Sequence, residues 1–98
     1  MNFKRLVEGN VVTYRISGRI DSNTAPILDE ELKTGLVDVT DLVIDLEELE
    51  YTSSAGLRVF LSTYKTMAKQ GSLVFTNVSE AVREIFDLTG MTDFFTIK

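Results

Sequence analysis

Residues 49–58 read Leu49-Glu50-Tyr51-Thr52-Ser53-Ser54-Ala55-Gly56-Leu57-Arg58, a strand that runs out into a short polar loop and then into the start of a helix. From Leu57 onward, Phe60, Leu61, Tyr64, Met67 and Ala68 recur at i+3, i+4, i+7, i+10 and i+11, which predicts the buried stripe of an amphipathic helix. Arg58, Ser62, Lys65 and Lys69 make the opposite, solvated stripe, and Gln70-Gly71 marks the stop. Ser53 and Ser54 fall where a helix leaves backbone N–H groups unpaired and carries a partial positive charge. One serine suffices as N-cap, a role worth roughly 1 kcal/mol. The small residues Ala55 and Gly56 predict an unobstructed end that another molecule could approach closely.

On the N-terminal side, Leu42-Val43-Ile44-Asp45-Leu46 is a nearly continuous apolar run, the composition of a central strand covered on both faces. Before it, Thr24 is placed as an N-cap and Pro26 fits a first helical turn. Leu28, Leu32 and Leu36 follow at helical spacing, with Gly35 as the stop. Earlier still, Leu6-Val7-Glu8 and Val11 to Ile16 flank Gly9-Asn10, the signature of a hairpin with a two-residue turn. Strand, helix, strand in this order implies a right-handed parallel crossover, so hairpin and crossover together predict a mixed sheet. On the C-terminal side, Ser72–Thr76 reads as a further strand and Asn77…Glu80 as a capping box. The helix it opens has Val82, Ile85 and Phe86 inward, and Met91–Lys98 forms a short final strand or an apolar tail. The fold class is α/β: one domain over residues 1–98, a small mixed sheet of four to five strands packed with about three main helices.

Composition narrows the chemistry. The 98 residues include no cysteine and no histidine. That removes disulfides, thiolate nucleophiles, Cys or His metal sites and imidazole acid–base catalysis. A serine nucleophile would need a lysine base, yet Lys65 and Lys69 lie about 16 and 22 Å along the helix from Ser54. Most familiar small-enzyme chemistries are therefore excluded, and no enzymatic activity, cofactor or metal is expected. No apolar run reaches membrane-spanning length and no leader-like segment opens the chain, so a cytoplasmic setting is expected. Net charge is −5, which argues against direct nucleic-acid binding. The charge is uneven: +3 over residues 1–20, −9 over 21–57 and +1 over 58–98.

A serine at a helix start has another use. Phosphorylation there adds about −1.5 to −2 charges beside favourable N–H donors, so the fold tolerates it. The surface offered to a partner is what changes.

Taken in order, Gly18-Arg19-Ile20-Asp21-Ser22-Asn23-Thr24-Ala25, Leu42–Leu46, Thr52–Arg58 and Val78-Ser79 through Leu88-Thr89-Gly90-Met91 resemble a STAS domain of the anti-sigma factor antagonist family, along essentially the whole chain. The resemblance implies a small mixed α/β protein without activity of its own. Its unphosphorylated form binds an anti-sigma factor that is also a serine kinase and thereby frees a sigma factor. Phosphorylation dissociates the complex, and a PP2C-type phosphatase reverses it. Many members carry Asp-Ser-Ser/Thr-Gly-Leu at the start of the second helix. Alignment on Gly56-Leu57 puts the phosphorylated serine at Ser54, with Ser53 in place of the family's aspartate and available as a second acceptor. Asp21 matches an acidic residue of the family's first loop. With Ser53, Ala55, Gly56 and Arg58 it makes the expected partner-binding set. The resemblance also implies a monomer. Two other readings stay open at this point: a non-switching adaptor subunit of a transporter complex, and a nucleotide- or small-ligand-binding module using Asp21, Asp45 and the helix start.

Overall fold

In a computed structural model describing residues 1–98, the hairpin forms as read but with longer arms: β1 (Asn2–Glu8) and β2 (Val11–Ile20) pair antiparallel from Asn2↔Ser17 to Glu8↔Val11. Gly9 takes φ +62° while Asn10 stays at negative φ, the signature of a type II′ turn with glycine at its first central position. The chain continues through α1 (Ala25–Gly35), β3 (Asp41–Asp45), β4 (Leu49–Thr52), α2 (Ser54–Gln70), β5 (Ser72–Thr76) and α3 (Glu80–Leu88). A single 3₁₀ turn (Met91–Asp93) then leads into β6 (Thr96–Ile97). The sheet runs β1-β2-β3-β5-β6, and β4 pairs with the far end of β2 beyond β3. All pairings except β1–β2 are parallel, so the sheet is mixed, with six strands.

Register explains the core. Val12, Leu42 and Leu73 stand side by side, and Tyr14, Ile44 and Phe75 form the next row. All six are buried. Their odd-numbered neighbours on β2 and β3, and even-numbered ones on β5, point the other way, where Thr13, Val43 and Val74 are only half-buried. The helices therefore lie on one face. This corrects the expectation that Leu42–Leu46 is covered on both sides: Val43 is sheltered by Thr13 and Val74 within the sheet, not by a second layer. On the uncovered face Arg15 pairs with Asp45 at 3.5 Å, and Asp45 also accepts the Glu47 N–H and the Asn77 side-chain amide.

The core is one cluster of 22 buried apolar residues. Phe60, Phe75, Phe86 and Phe95 meet in it mostly edge to face, with centroids 4.6–6.2 Å apart. The helical stripe of α2 is rotated from its expected position. Leu57, Phe60 and Met67 are buried, but Val59 and Thr63 join them and Ala68 is exposed. The cause is a second neighbour, because α2 packs against α1 on one flank as well as against β5. Thr63 satisfies its hydroxyl by donating to the Val59 carbonyl at 2.8 Å. Gln70, at the end of α2, donates to the carbonyls of Leu36 and Val39 and so ties this helix to the segment after α1.

Two helix starts differ from expectation. Thr24 does not cap α1 with its side chain. Asp21 leads instead: one carboxylate oxygen accepts the N–H of Asn23 and of Thr24, both at 2.9 Å, and Thr24 Oγ1 accepts the Asp21 N–H in return. This is a reciprocal capping arrangement displaced one turn upstream. At α3 the cap is Ser79, whose Oγ accepts the Val82 N–H. Asn77 instead takes φ +55°, a conformation asparagine tolerates, and bonds Asp45.

Candidate functional site

Parallel pairing of Ile20 with Thr52 brings two strand ends, and the loops that leave them, to the same edge of the sheet. The Ser53 N–H donates to the Ile20 carbonyl at 2.8 Å, which fixes the start of α2 beside the Asp21 loop. Ser53 is then held from every side. Its carbonyl accepts the Leu57 N–H and the Thr52 hydroxyl, and its Oγ accepts the Gly56 N–H at 3.4 Å. Its backbone is extended (φ −81°, ψ 175°), the geometry of an N-cap.

Ser54 is the first residue of α2 and is exposed. Its hydroxyl forms no hydrogen bond, and the N–H groups of Ser54 and Ala55 have no protein partner. One serine is thus consumed in the fold, and the other stands in solvent at the positive end of a 17-residue helix with two donors open. Arg58, one turn further on, is also exposed and forms no ion pair. Ala55 and Arg58 line a shallow groove of about 360 Å³ between α1 and α2, whose other wall includes Ser22, Ala25 and Pro26. Gly56 does not belong to that surface. It is buried, and a Cβ there would clash with Thr52 Oγ1 and stand 2.8 Å from Ile20 Cγ2. Its small size serves this chain's own close packing, not the approach of another molecule.

Asp21 is exposed, and the N–H groups of Thr24 and Asn23 hold its carboxyl below the ordinary carboxylate range. One of its oxygens thus serves the turn that starts α1, on the loop that the bond from Ser53 N–H to the Ile20 carbonyl holds beside the start of α2. No three acidic side chains converge where a metal ion could be held.

A family model, the STAS domain, matches residues 2–98. The chain belongs to the STAS domain family. Among curated relatives of this STAS chain is the anti-sigma-B factor antagonist of Bacillus subtilis, 40% identical over 89 residues, covering 90% of this chain and 82% of that protein. The anti-sigma-B factor antagonist of Listeria monocytogenes is 37% identical, covering 85% and 75%. Among solved structures, an anti-sigma factor antagonist from Mycobacterium paratuberculosis superposes with a TM-score of 0.87 at 28% identity, over 98% of this chain and 83% of that one. In this STAS fold the neighbours that sequence reasoning missed are Arg19 and Tyr51. The Arg19 guanidinium sits 4.5 Å from the Tyr51 ring centre, on paired positions of β2 and β4 just before the two loops. The only sequence signal for the pair is the β2–β4 register, which requires knowing that β4 skips past β3.

Proposed function

We propose that this STAS protein is an anti-sigma factor antagonist that works by binding, without catalysis of its own, in the cytoplasm. Its unphosphorylated form binds a cognate anti-sigma factor that is also a serine kinase, and a sigma factor is released. Phosphorylation of Ser54 switches that binding off, and a phosphatase of the PP2C type restores it. The observation that carries the reading is the division between the serines: Ser53 is locked into the cap while Ser54 is exposed with two free N–H donors beside it. A phosphate on Ser54 meets those donors and the helix dipole, so the fold accepts it. A partner docked over Ser54, Ala55 and Arg58 would instead have to desolvate a doubly charged group. Asp21 completes the contact surface from the neighbouring loop, Ser53 and Gly56 set its shape from within, and Ser53 serves as acceptor only when α2 frays.

The test is intact-mass and peptide-mapping mass spectrometry of the protein isolated from its own cells, with and without stress, alongside binding measurements on Ser54→Ala and Ser54→Asp. Expected are a single phosphate on Ser54, kinase binding retained by Ser54→Ala, and binding weakened at least tenfold by Ser54→Asp, the equivalent of about 1.4 kcal/mol. A chain never phosphorylated under any condition, or a Ser54→Asp variant binding as tightly as wild type, would refute the switch.

A further inference from the structure

Three strands have a strand neighbour on one side only, the two-residue β6, the four-residue β4 and the much longer, seven-residue β1. The backbone direction of β1 follows from its neighbour. Gly18 N–H donates to the Glu48 carbonyl and the Ile20 carbonyl accepts from Ser53, so even-numbered residues of β2 face β3 and β4. Odd-numbered residues of β2 therefore face β1, where their partners are Asn2, Lys4, Leu6 and Glu8. A two-residue turn closed by the Glu8–Val11 pair obeys the same alternation. Phe3, Arg5 and Val7 are left pointing their N–H and C=O groups outward, along an edge where Leu6 is 43% and Val7 59% exposed.

An unpaired edge is a template for another strand, and charged side chains decide which strand it accepts. For a second copy of β1 joining antiparallel about a two-fold axis, outward groups must oppose outward groups. That leaves only registers centred on a single residue. Centring on Lys4 or Arg5 sets like charges face to face, which is destabilising. Centring on Val7 puts Leu6 against Glu8 and shortens the ladder. Centring on Leu6 opposes Lys4 to Glu8 of the second copy twice over, on the same face of the sheet, with Leu6 against Leu6 between them. Arg5 then pairs with Val7 of the second copy through hydrogen-bonded positions, giving about four backbone hydrogen bonds in all. The charges that block the other registers favour this one.

We propose that β1 is a self-association edge, on which two copies pair antiparallel about Leu6 and merge their sheets. The contact is small, and the monomer that the family resemblance implies is its dilute state. Lys4 and Glu8 stand opposite Arg15 and Val11 within their own copy and neither makes an ion pair there, so charge reversal at either breaks no favourable charge pair of the hairpin.

Sedimentation velocity from micromolar to millimolar protein tests the proposal. The wild-type mass should rise toward that of a dimer. Lys4→Glu or Glu8→Lys alone should hold it at the monomer, and the double variant Lys4→Glu/Glu8→Lys should recover association. Because the chain has no cysteine, Leu6→Cys carries a single thiol at the self-opposed position, where Cα atoms about 4.5 Å apart permit a disulfide. Under mild oxidation it should cross-link several-fold faster than Ile27→Cys, a control at a more exposed site on α1. A chain monomeric at millimolar concentration overturns the proposal. So does association indifferent to the charge reversals, which would place the contact elsewhere, or cross-linking of Leu6→Cys no faster than of the control. Circular dichroism of each variant establishes that the fold is retained.

Discussion

Substituting the two serines one at a time should separate folding from signalling. Ser53→Ala removes the acceptor of the buried Gly56 N–H, and loss of an N-cap costs about 1 kcal/mol. In a domain of this size each kcal/mol moves the melting temperature by roughly 4–8 °C, so Ser53→Ala should melt about 5 °C below wild type. Ser54→Ala removes an exposed hydroxyl without hydrogen bonds and should stay within about 0.5 kcal/mol of wild type. Ser54→Asp places a carboxylate on the open N–H groups of the first turn, with Arg58 four residues on. Charge at a helix N-terminus contributes about 0.3–1 kcal/mol, so this variant should melt one to several degrees above wild type, roughly as that range implies. The gain should shrink as salt is raised from 0.1 to 1 M, over which screening shortens from about 10 to about 3 Å. Thermal melts of the four proteins at both salt concentrations make the measurement. If Ser54→Ala cost as much as Ser53→Ala, or if Ser54→Asp were destabilised at low salt, the assignment of cap and acceptor would be wrong, and with it the claim that the fold tolerates phosphate.

Three other perturbations probe the frame around the serines. Gly56→Ala forces a methyl against Thr52 and Ile20 and should lower stability by about 1–3 kcal/mol despite alanine's better helix propensity, read as a lower denaturant midpoint with unchanged slope; pairing it with Thr52→Ala should return part of the loss. Burial, reinforced by the hydrogen bond to Glu31, raises the Tyr14 phenol from 10.0 to about 12, so the fold favours its neutral form; the stabilisation is intact below pH 10 and is lost as pH rises toward 12. Tyr14→Phe should flatten that part of the stability profile while costing about 0.5–1.5 kcal/mol near neutrality, and ultraviolet titration should show one of three tyrosines ionising last. The Asp21 carboxyl is held low, so its contribution is present above the ordinary carboxylate range and declines as pH falls below it; Asp21→Asn should flatten the acid limb of the same profile by a small amount, because the group is exposed.

What could be read from sequence, and what could not, divides along the range of the interactions involved. The Gly9-Asn10 turn, the proline-led start of α1 and the stop at Gly71 are local signals that stand where the residues put them, and the strand read at Leu42–Leu46 forms one residue earlier, at Asp41–Asp45. The caps needed more. Asp21, Asn23 and Thr24 offer competing side chains within four residues, and the choice of Asp21 as leader depends on where β2 releases the chain at Ile20. Asn77 loses the cap of α3 because Asp45, thirty-two residues away, accepts its amide. Coverage of the sheet was beyond reach for a related reason. An apolar strand shielded by its sheet neighbours has the same composition as one shielded by a second layer of helices, and only the placement of all three helices on one face distinguishes them. At the site, the motif located both serines. Their different roles rest on two hydrogen bonds, from Gly56 N–H to Ser53 Oγ and from Ser53 N–H to Ile20 O, and the second spans 33 residues of sequence.

Ser53, at the position where the family resemblance leads one to expect aspartate, acquires a physical meaning in this frame. Aspartate and serine are equivalent N-caps, so the exchange leaves the start of α2 intact. It also removes a negative charge adjacent to the hydroxyl that would receive phosphate. Ten of the chain's fifteen acids lie between residues 21 and 57, while the first turn of α2 contains none and Arg58 follows it. Ser54, the proposed acceptor, therefore sits in a gap within an otherwise acidic segment. A phosphate placed there changes the local charge from near neutral to strongly negative instead of adding to a carboxylate already present. A partner that tolerates the unmodified surface meets the larger electrostatic contrast in this chain, and the contrast is set by Ser53 without cost to the helix that presents it.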